Sequence, residues 1–515
     1  MNVRIDTTPI AAPPESPVTL LRGRESSSLA PDLASAFLAV GAAEPRLAQL
    51  LAGDALCVTT GQQPALFTGP LYAVYKALSA AAYAQWCEQL AGRPVVPVFW
   101  VAGDDHDFAE ANHVHLLTAD NAVETLVLRD RPPDAPQLPL YREPLGSDVE
   151  HALAAALATL PQTEFAPDVT AWLQRFWEPT RDIASAFAES MADLLGPHGV
   201  VVYRSTARAA KRAAAPYLVR ALEEAERLDA ALSAGAAALE DAGAAAPVGV
   251  GDGATLVMLE ASQGRDRLVL DGSERFRTRR SGEKLSLDDL RTIASLEPER
   301  LSANVLLRPV VEAALLPTVA YVGGPGELAY LPQCEPIYAI LGVRRQMPVP
   351  RWSGRVVEAK IAKVLQKYDI VPEDLGGPEG HLEGSLAREA MPTEAAEAIA
   401  GLRRALGTEF ARLEQAAVEI DPTMKKTVQH TRNVALGGVS DLEKKLIAHL
   451  KKQNEIVQQQ LAKASANLLP HGRPQERVFS VAHYLVRYGR AFLDDVYAEC
   501  LRWVNAGGEQ AGSGD

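Results

Sequence analysis

Two hydrophobic regimes divide the chain. Over roughly the first two thirds, short apolar runs ending at glycine or proline alternate with helical periodicity; the last third is dominated by long helical periodicity. The stretch that organises the first regime is VTTGQQPALFTGPLYAVY, Val58–Tyr75, followed by Lys76. Apolar Ala55–Val58 runs into Thr59-Thr60-Gly61, and Pro64, Gly69 and Pro70 forbid regular structure beyond it. From Leu71 onward, Val74, Tyr75, Leu78 and Ala82 continue at helical spacing. Pro70 is expected at the first helical position, where its missing N–H costs nothing. A strand end, a glycine-bearing loop and a helix start predict free backbone N–H groups at a positive dipole end, suited to a phosphate or carboxylate. The spacing is neither G-x-G-x-x-G nor a Walker A loop. An ordinary β–α connection is the plain alternative.

The next strand is expected at Val95–Gly103, VVPVFWVAG, whose unbroken apolar character suits burial on both faces of a parallel sheet. Strand, loop, helix and strand within some fifty residues open a doubly wound α/β domain. Just past the second strand lies GDDHDFAEANHVH, Gly103–His115. Ligands of open α/β sheets bind at the carboxyl ends of the strands, so this cluster and the first loop are expected to face one crevice. Asp104, Asp105, His106 and Asp107 could hold a ribose, an amine or a metal, or move protons. His106, Asp107, His113 and His115 are metal-ligand types, but their spacing matches no common zinc motif. An acidic loop with Asp107 capping a short helix is the bland alternative.

Further along, a strand is expected at Val123–Leu128, one long amphipathic helix at Val169–Leu195, a strand at Gly199–Tyr203 and alanine-rich helix over 206–246. Strands are expected at Thr255–Leu259 and Arg267–Leu270, then an exposed basic turn in Phe276–Ser286 whose Arg279, Arg280 or Lys284 could meet phosphates. Leu301–Gly342 repeats the opening architecture: apolar Val305–Leu307 and Pro317–Val322, the corner Gly323-Gly324-Pro325-Gly326, and a helix from Glu327, with Arg308 and Glu327 as the charges such a corner aims at a ligand. Beyond Pro350, Leu442, Leu446, Leu450, Val457, Leu461 and Leu468 follow heptad-like spacing. Gly437-Gly438 is expected to interrupt the helix before them. Thirty helical residues would span roughly 45 Å, which fits a coiled coil or helical hairpin, packing either on the Val481–Val504 helix or on a second copy. The first residues, 1–29, are expected to form an extended arm, Ala30–Leu51 a helix ending at Gly53, and the tail GGEQAGSGD to be disordered.

Composition narrows the partners. The 515 residues are 47% hydrophobic and 23% charged, ordinary for a globular chain, and the formal net charge is −14. That charge argues against nucleic acid or an anionic membrane as the main partner but says little about small anions. With neither a signal-like start nor a membrane-length apolar run, the chain is expected to be soluble and cytoplasmic. Cys57, Cys87, Cys334 and Cys500 show no C-x-x-C spacing and are expected as buried thiols.

TTGQQPALFTGPLYAVYKALSA, PVFWVAGDDHDFAEANHV, LSANVLLRPVVEAALLPTVAYVGGPGELAY and QERVFSVAHYLVRYG, in this order, resemble the cysteine ligase family of bacillithiol biosynthesis. The resemblance implies addition of L-cysteine to the amine of glucosaminyl-malate in the last step of that pathway. It implies an α/β fold with a Rossmann-like doubly wound parallel sheet related to class I aminoacyl-tRNA synthetases, helical insertions, and a C-terminal α-helical coiled-coil domain that mediates homodimerisation. The corresponding division is an arm at 1–29, first core half at 30–160, mainly helical insertion at 161–250, second core half at 251–385, and coiled coil at 386–510. Thr60–Tyr72 stands where the synthetases carry their HIGH motif. Gly69-Pro70-Leu71-Tyr72 has no histidine, leaving His106 as the candidate substitute, and RRSGEKLS only faintly echoes the KMSKS loop.

On this basis ATP with magnesium is the expected cosubstrate, with no tightly bound cofactor and no resident metal. Asp105, His106, Asp107 and Lys76 are the candidate catalytic residues. Thr60, Gly61, Gln62, Gln63, Gly69, Tyr72, Gly103, Asp104, Asn112, Arg308, Tyr321, Gly323, Gly324, Glu327 and Tyr330 are the candidate binding residues. A metal-dependent hydrolase or transferase using the Asp/His cluster, and a dimeric nucleotide-binding scaffold without turnover, are the alternatives from other classes.

Overall fold

A computed structural model describes residues 3–8, 10–21, 23–378, 381–389, 391–453 and 455–511. The chain forms two compact units, one of Ile5–Val356 with Pro474–Asp515, the other of Val357–Arg473 with a short N-terminal piece.

The first unit is built on a six-stranded sheet: β1 Phe37–Leu38, β2 Leu56–Gln62, β3 Val95–Val101, β4 Val201–Arg204, β5 Thr318–Gly323 and β6 Met347–Pro350. Their spatial order is β6-β5-β2-β3-β4-β1, parallel except for the antiparallel edge strand β1. All of β3 is buried, which explains its unbroken apolar sequence: both faces of a central parallel strand are covered. The helix Tyr72–Ala91 has no polar stripe because it packs on β2 and β3 while Ala491–Ala511 packs on it too.

Residues 254–303 build a separate antiparallel sheet, in the order Lys284–Ser286, Arg275–Thr278, Gly264–Leu270, Ala254–Ala261, Leu301–Ala303. Leu256, Leu268, Phe276 and Leu290 form its core with Leu218 and Leu222 of the helix Arg208–Glu223.

Several local expectations give way to tertiary effects. Val169–Leu195 is two helices, Ala166–Phe176 and Ile183–Leu195, because Pro179 stops one and Asp182 caps the other by accepting from the Ser185 N–H at 2.8 Å. The 206–246 segment likewise divides into Arg208–Glu223 and Ala225–Asp241. Val305–Leu307 is a turn: Asn304 Oδ1 accepts the N–H groups of Leu306 and Leu307 and leads into Arg308–Leu315. The expected Ala30–Leu51 helix is a 3₁₀ turn, then β1, then Ala43–Ala52 closed by left-handed Gly53. The residues at 507–511 continue the helix Ala491–Ala511, and the remaining tail lies outside the described residues.

In the second unit, Thr393–Ile420 and Met424–Gln453 pack along each other as an antiparallel helical hairpin. Arg403 pairs with Glu443 at 2.6 Å near one end, and Gln429 donates to Glu414 at 2.9 Å near the other. Gly437-Gly438 does not interrupt the second helix. Each glycine costs about 1 kcal/mol in a helix interior, and burial of the neighbouring Val428, Val439 and Ile447 outweighs that. Among the described residues, no helix is long and apolar enough to cross a membrane.

Candidate functional site

All five parallel strands deliver their carboxyl ends to one cavity of about 640 Å³. This is the edge where open α/β sheets bind ligands, and the volume lies within the range of small-molecule sites. β2 contributes Gly61 and Gln62, and the residues after β3 contribute Asp104, Asp105 and His106. Ser205 follows β4, Gly324 and Glu327 follow β5, and Arg351 follows β6. Met258, Arg265, Arg267 and Ser302 of the antiparallel sheet form the facing wall.

A chain of buried polar groups runs under the floor. Thr59 donates its hydroxyl to Glu312, whose other oxygen takes Arg308 Nη1 at 2.9 Å. Arg308 Nη2 reaches the Tyr321 hydroxyl at 3.0 Å, and that hydroxyl donates to Glu327. Glu327 also accepts Lys76 Nζ at 2.6 Å and the Gly324 N–H at 2.9 Å, and Lys76 donates to the Gly61 carbonyl. Burial pushes the Glu327 carboxyl up, but Lys76 and Arg308, with hydrogen bonds from Lys76 and Tyr321, outweigh it and hold the carboxyl below its ordinary value. Burial lowers the Lys76 ammonium against the pull of Glu327, and raises Glu312 against Arg308. Lys76 is therefore an internal strut between two glycine corners, its side chain only 2% exposed. It nevertheless lines the cavity, with its ammonium already bonded to the Gly61 carbonyl and Glu327.

The first loop also differs from expectation. Phe67, Thr68 and Gly69 all have positive φ, and Leu66, Phe67, Thr68 and Gly69 are buried, turned away from the cavity. The late segment clamps them: the Leu71 N–H donates to the Phe479 carbonyl and the Ser480 hydroxyl to the Phe67 carbonyl, both at 2.8 Å. The helix starts at Tyr72 after Leu71, not at Pro70, and the N–H groups of Ala73 and Val74 are taken by the carbonyls of Pro70 and Leu71. The predicted cradle of free amides is thus largely consumed. From this stretch Gly61, Gln62, Gln63, Tyr72 and Lys76 line the cavity.

In the acidic cluster the residues diverge. Asp105 Oδ1 accepts the N–H groups of His106 at 2.6 Å and Asp107 at 3.3 Å, which leaves Oδ2 without a partner among the described residues. His106 Nδ1 lies 3.2 Å from Arg265 Nη1. A guanidinium is always a donor, so Nδ1 accepts and the proton sits on Nε2. Burial, then Arg265, lowers the imidazole below its ordinary value, so it is neutral. Asp104 is paired with buried Lys211, which also donates to the Leu301 carbonyl at 2.9 Å. Asp107 caps Phe108–Ala111 by accepting the Glu110 N–H. His113 and His115 bond to the Ala109 carbonyl and the Thr125 hydroxyl on a hairpin outside the cavity. Among the described residues, no three His, Cys, Asp or Glu are grouped to hold a metal ion.

Of the remaining candidates, Arg308 and Tyr330 line the cavity. Thr60, Gly69, Gly103, Asp107, Asn112, Tyr321 and Gly323 do not. Thr60 donates to the Val322 carbonyl across the sheet, and Asn112 donates to the Arg129 carbonyl. A Cβ on Gly103 would come within 3.0 Å of Ala184 and Thr206. Arg280 and Ser281 of the basic turn donate their N–H groups to buried Asp266, and Lys284 is exposed. Sequence reasoning missed Lys211, Arg265, Arg267, Arg351 and Arg477. Lys211 had a signal, a cation among the alanines and leucines of an apolar helix face; Arg265 and Arg267 had one in their strand alternation.

The family described as "Bacillithiol biosynthesis BshC, N-terminal Rossmann-like domain" matches residues 24–352, and its "C-terminal coiled-coil domain" matches 355–503. A relative from Salinibacter ruber is 33% identical over 86% of this chain and 80% of its own length. One from Symbiobacterium thermophilum is 33% identical over 90% and 86%, and one from Heliobacterium modesticaldum 31% over 89% and 83%. All three carry the name "Putative cysteine ligase BshC". The chain belongs to the BshC family of bacillithiol biosynthesis.

Proposed function

We propose that the cavity joins L-cysteine to the amine of glucosaminyl-malate, through a cysteine carboxylate activated by Mg-ATP. One observation supports this most: the protein is net acidic at −14, yet seven basic side chains line the cavity against four acidic ones. Cysteine, a malyl group and a nucleotide all bring anionic oxygens to such a lining. Gln62, Gln63 and Arg477 beside Tyr72 are the groups available to hold phosphates. ATP supplies a leaving group on the cysteine carboxyl, because a free carboxylate is a poor electrophile.

The amine then attacks the carboxyl carbon, the activating group leaves, and the amine loses its proton. Asp105 Oδ2 is the acceptor placed to orient the amine and take that proton. His106, with its proton on Nε2, acts as hydrogen-bond donor or acid toward the developing oxyanion or the leaving group. Lys76 and Glu327, at the cavity lining, fix the two glycine corners. The coiled-coil unit joins two copies: Leu442 and Leu446 are 50% and 38% exposed on successive turns of its hairpin.

The test is mass spectrometry of purified protein with cysteine and glucosaminyl-malate, with and without Mg-ATP. Amide product with AMP and pyrophosphate supports an adenylate, and product with ADP and phosphate an acyl phosphate. Folded protein that forms no amide in any arm overturns the proposal. Full product formation by both Asp105→Asn and His106→Ala would overturn the residue roles alone.

A further inference from the structure

We infer that Arg265 and Arg267 form an oxyanion subsite on the antiparallel-sheet wall of the cavity, built to take a ligand segment carrying two negative charges. The residues are two apart on the strand Gly264–Leu270, so they project from the same face, and both line the cavity. Asp266 between them points to the opposite face and is consumed by the N–H groups of Arg280 and Ser281.

What sets the two apart is that neither has an ion-pair partner among the described residues; Asp104 and Asp105 act on Arg265 only from beyond contact. The other buried cations of the cavity are matched: Lys76 with Glu327, Lys211 with Asp104, Arg308 with Glu312 and Arg351 with Glu476. Arg265 bonds only neutral acceptors, the Ser302 hydroxyl at 3.0 Å, the Ala303 carbonyl at 2.7 Å and His106. Arg267 is partly buried and has no side-chain hydrogen bond among the described residues; the charges that act on it are those of Arg279 and Arg265. Among the described residues, no carboxylate lies in ion-pair distance of either guanidinium. Burial lowers Arg265 against the pull of Asp104 and Asp105, and burial with the like charges of Arg279 and Arg265 lowers Arg267.

Desolvated cations without partners are costly, and an arriving anion removes that cost. Two planar forks suit bidentate oxyanions. Alternate residues of a strand stand roughly 6.6 Å apart, so each fork can meet one carboxylate of a short diacid chain. Resting on the proposed function, the malyl end of the acceptor is the expected source of the charge. The phosphates of the nucleotide carry the same oxyanion chemistry.

Steady-state kinetics of wild type, Arg267→Met and Arg267→Lys, varying glucosaminyl-malate, cysteine and ATP in turn, separates the sources. Calorimetric titration of the same proteins with L-malate and with ATP gives a readout that needs no turnover. Arg267→Met is expected to raise the KM for glucosaminyl-malate roughly ten- to hundredfold, with a smaller effect on kcat, and to abolish L-malate binding. Arg267→Lys should retain part of it. A rise confined to ATP supports the subsite with phosphate as its source. Wild type that binds L-malate through Arg267 yet makes no amide leaves the subsite standing and removes the ligase reading. Correctly folded Arg267→Met with every KM and both affinities within twofold of wild type overturns the subsite, as does a wild type that binds neither ligand.

Discussion

Replacing Lys76 by Met tests whether the floor of the cavity is a charge-balanced strut. The substitution keeps most of the side-chain volume and removes the ammonium, leaving Glu327 buried beside Gly61 with its main counter-charge gone. Breaking one side of a buried pair costs about 3–5 kcal/mol. Glu327 retains 22% side-chain exposure, and the Tyr321 hydroxyl still donates to it, so the expected cost falls to about 2–4 kcal/mol. With a first unit of roughly 390 residues and about 0.8 kcal/mol/K of unfolding entropy, its melting point should drop roughly 2–5 °C. All six tryptophans lie in this unit, so denaturant unfolding followed by tryptophan fluorescence reports it without interference from the coiled coil. The decisive form is a double-mutant cycle with Glu327→Gln. If an orphaned carboxylate is the origin of the loss, the double variant recovers about 1.5–3 kcal/mol of the summed single costs. Additivity within about 0.5 kcal/mol would mean that the two charges do not depend on each other, and the strut reading would be wrong.

Other consequences are equally direct. His106 has a folded-state value depressed below its ordinary 6.5, so its contribution to stability is complete above that pH and is lost as pH falls from 6.5 through the depressed value. In ¹⁵N-resolved NMR it should be the Nε2–H tautomer at neutral pH, and Arg265→Met should move its titration upward; an Nδ1–H signal would refute the assigned contact. Burial pushes the thiols of Cys57, Cys87, Cys334 and Cys500 up to about 12. Ellman's reagent at pH 8 should therefore find no reactive thiol in the native protein and four after denaturation. Gly264→Ala should cost about 2–4 kcal/mol, because φ is +79° and the new Cβ would lie 2.3 Å from the Gln137 carbonyl oxygen; unchanged tryptophan-detected unfolding would contradict this. Leu442→Lys with Leu446→Lys should halve the mass seen by light scattering while leaving helicity intact, and an unchanged mass would remove the proposed dimer contact.

Some of this protein is written locally. The buried strands β2, β3 and β5, the glycine corners after β2 and β5 and the long helical periodicity of the last third follow from apolar runs, glycine, proline and heptad spacing. Those signals act over a few residues, so they survive without knowledge of the rest of the chain. The placement of Asp104, Asp105 and His106 at a strand end was legible for the same reason. Whether a charge is a ligand donor or a strut was not. Lys76 and Glu327 are 251 positions apart, Arg265 and His106 are 159 apart, and Ser480 reaches Phe67 across 413. Sequence fixes which groups can ionise or donate. Only the folded chain decides which of them meet, how much water each loses, and therefore which remain open to a substrate.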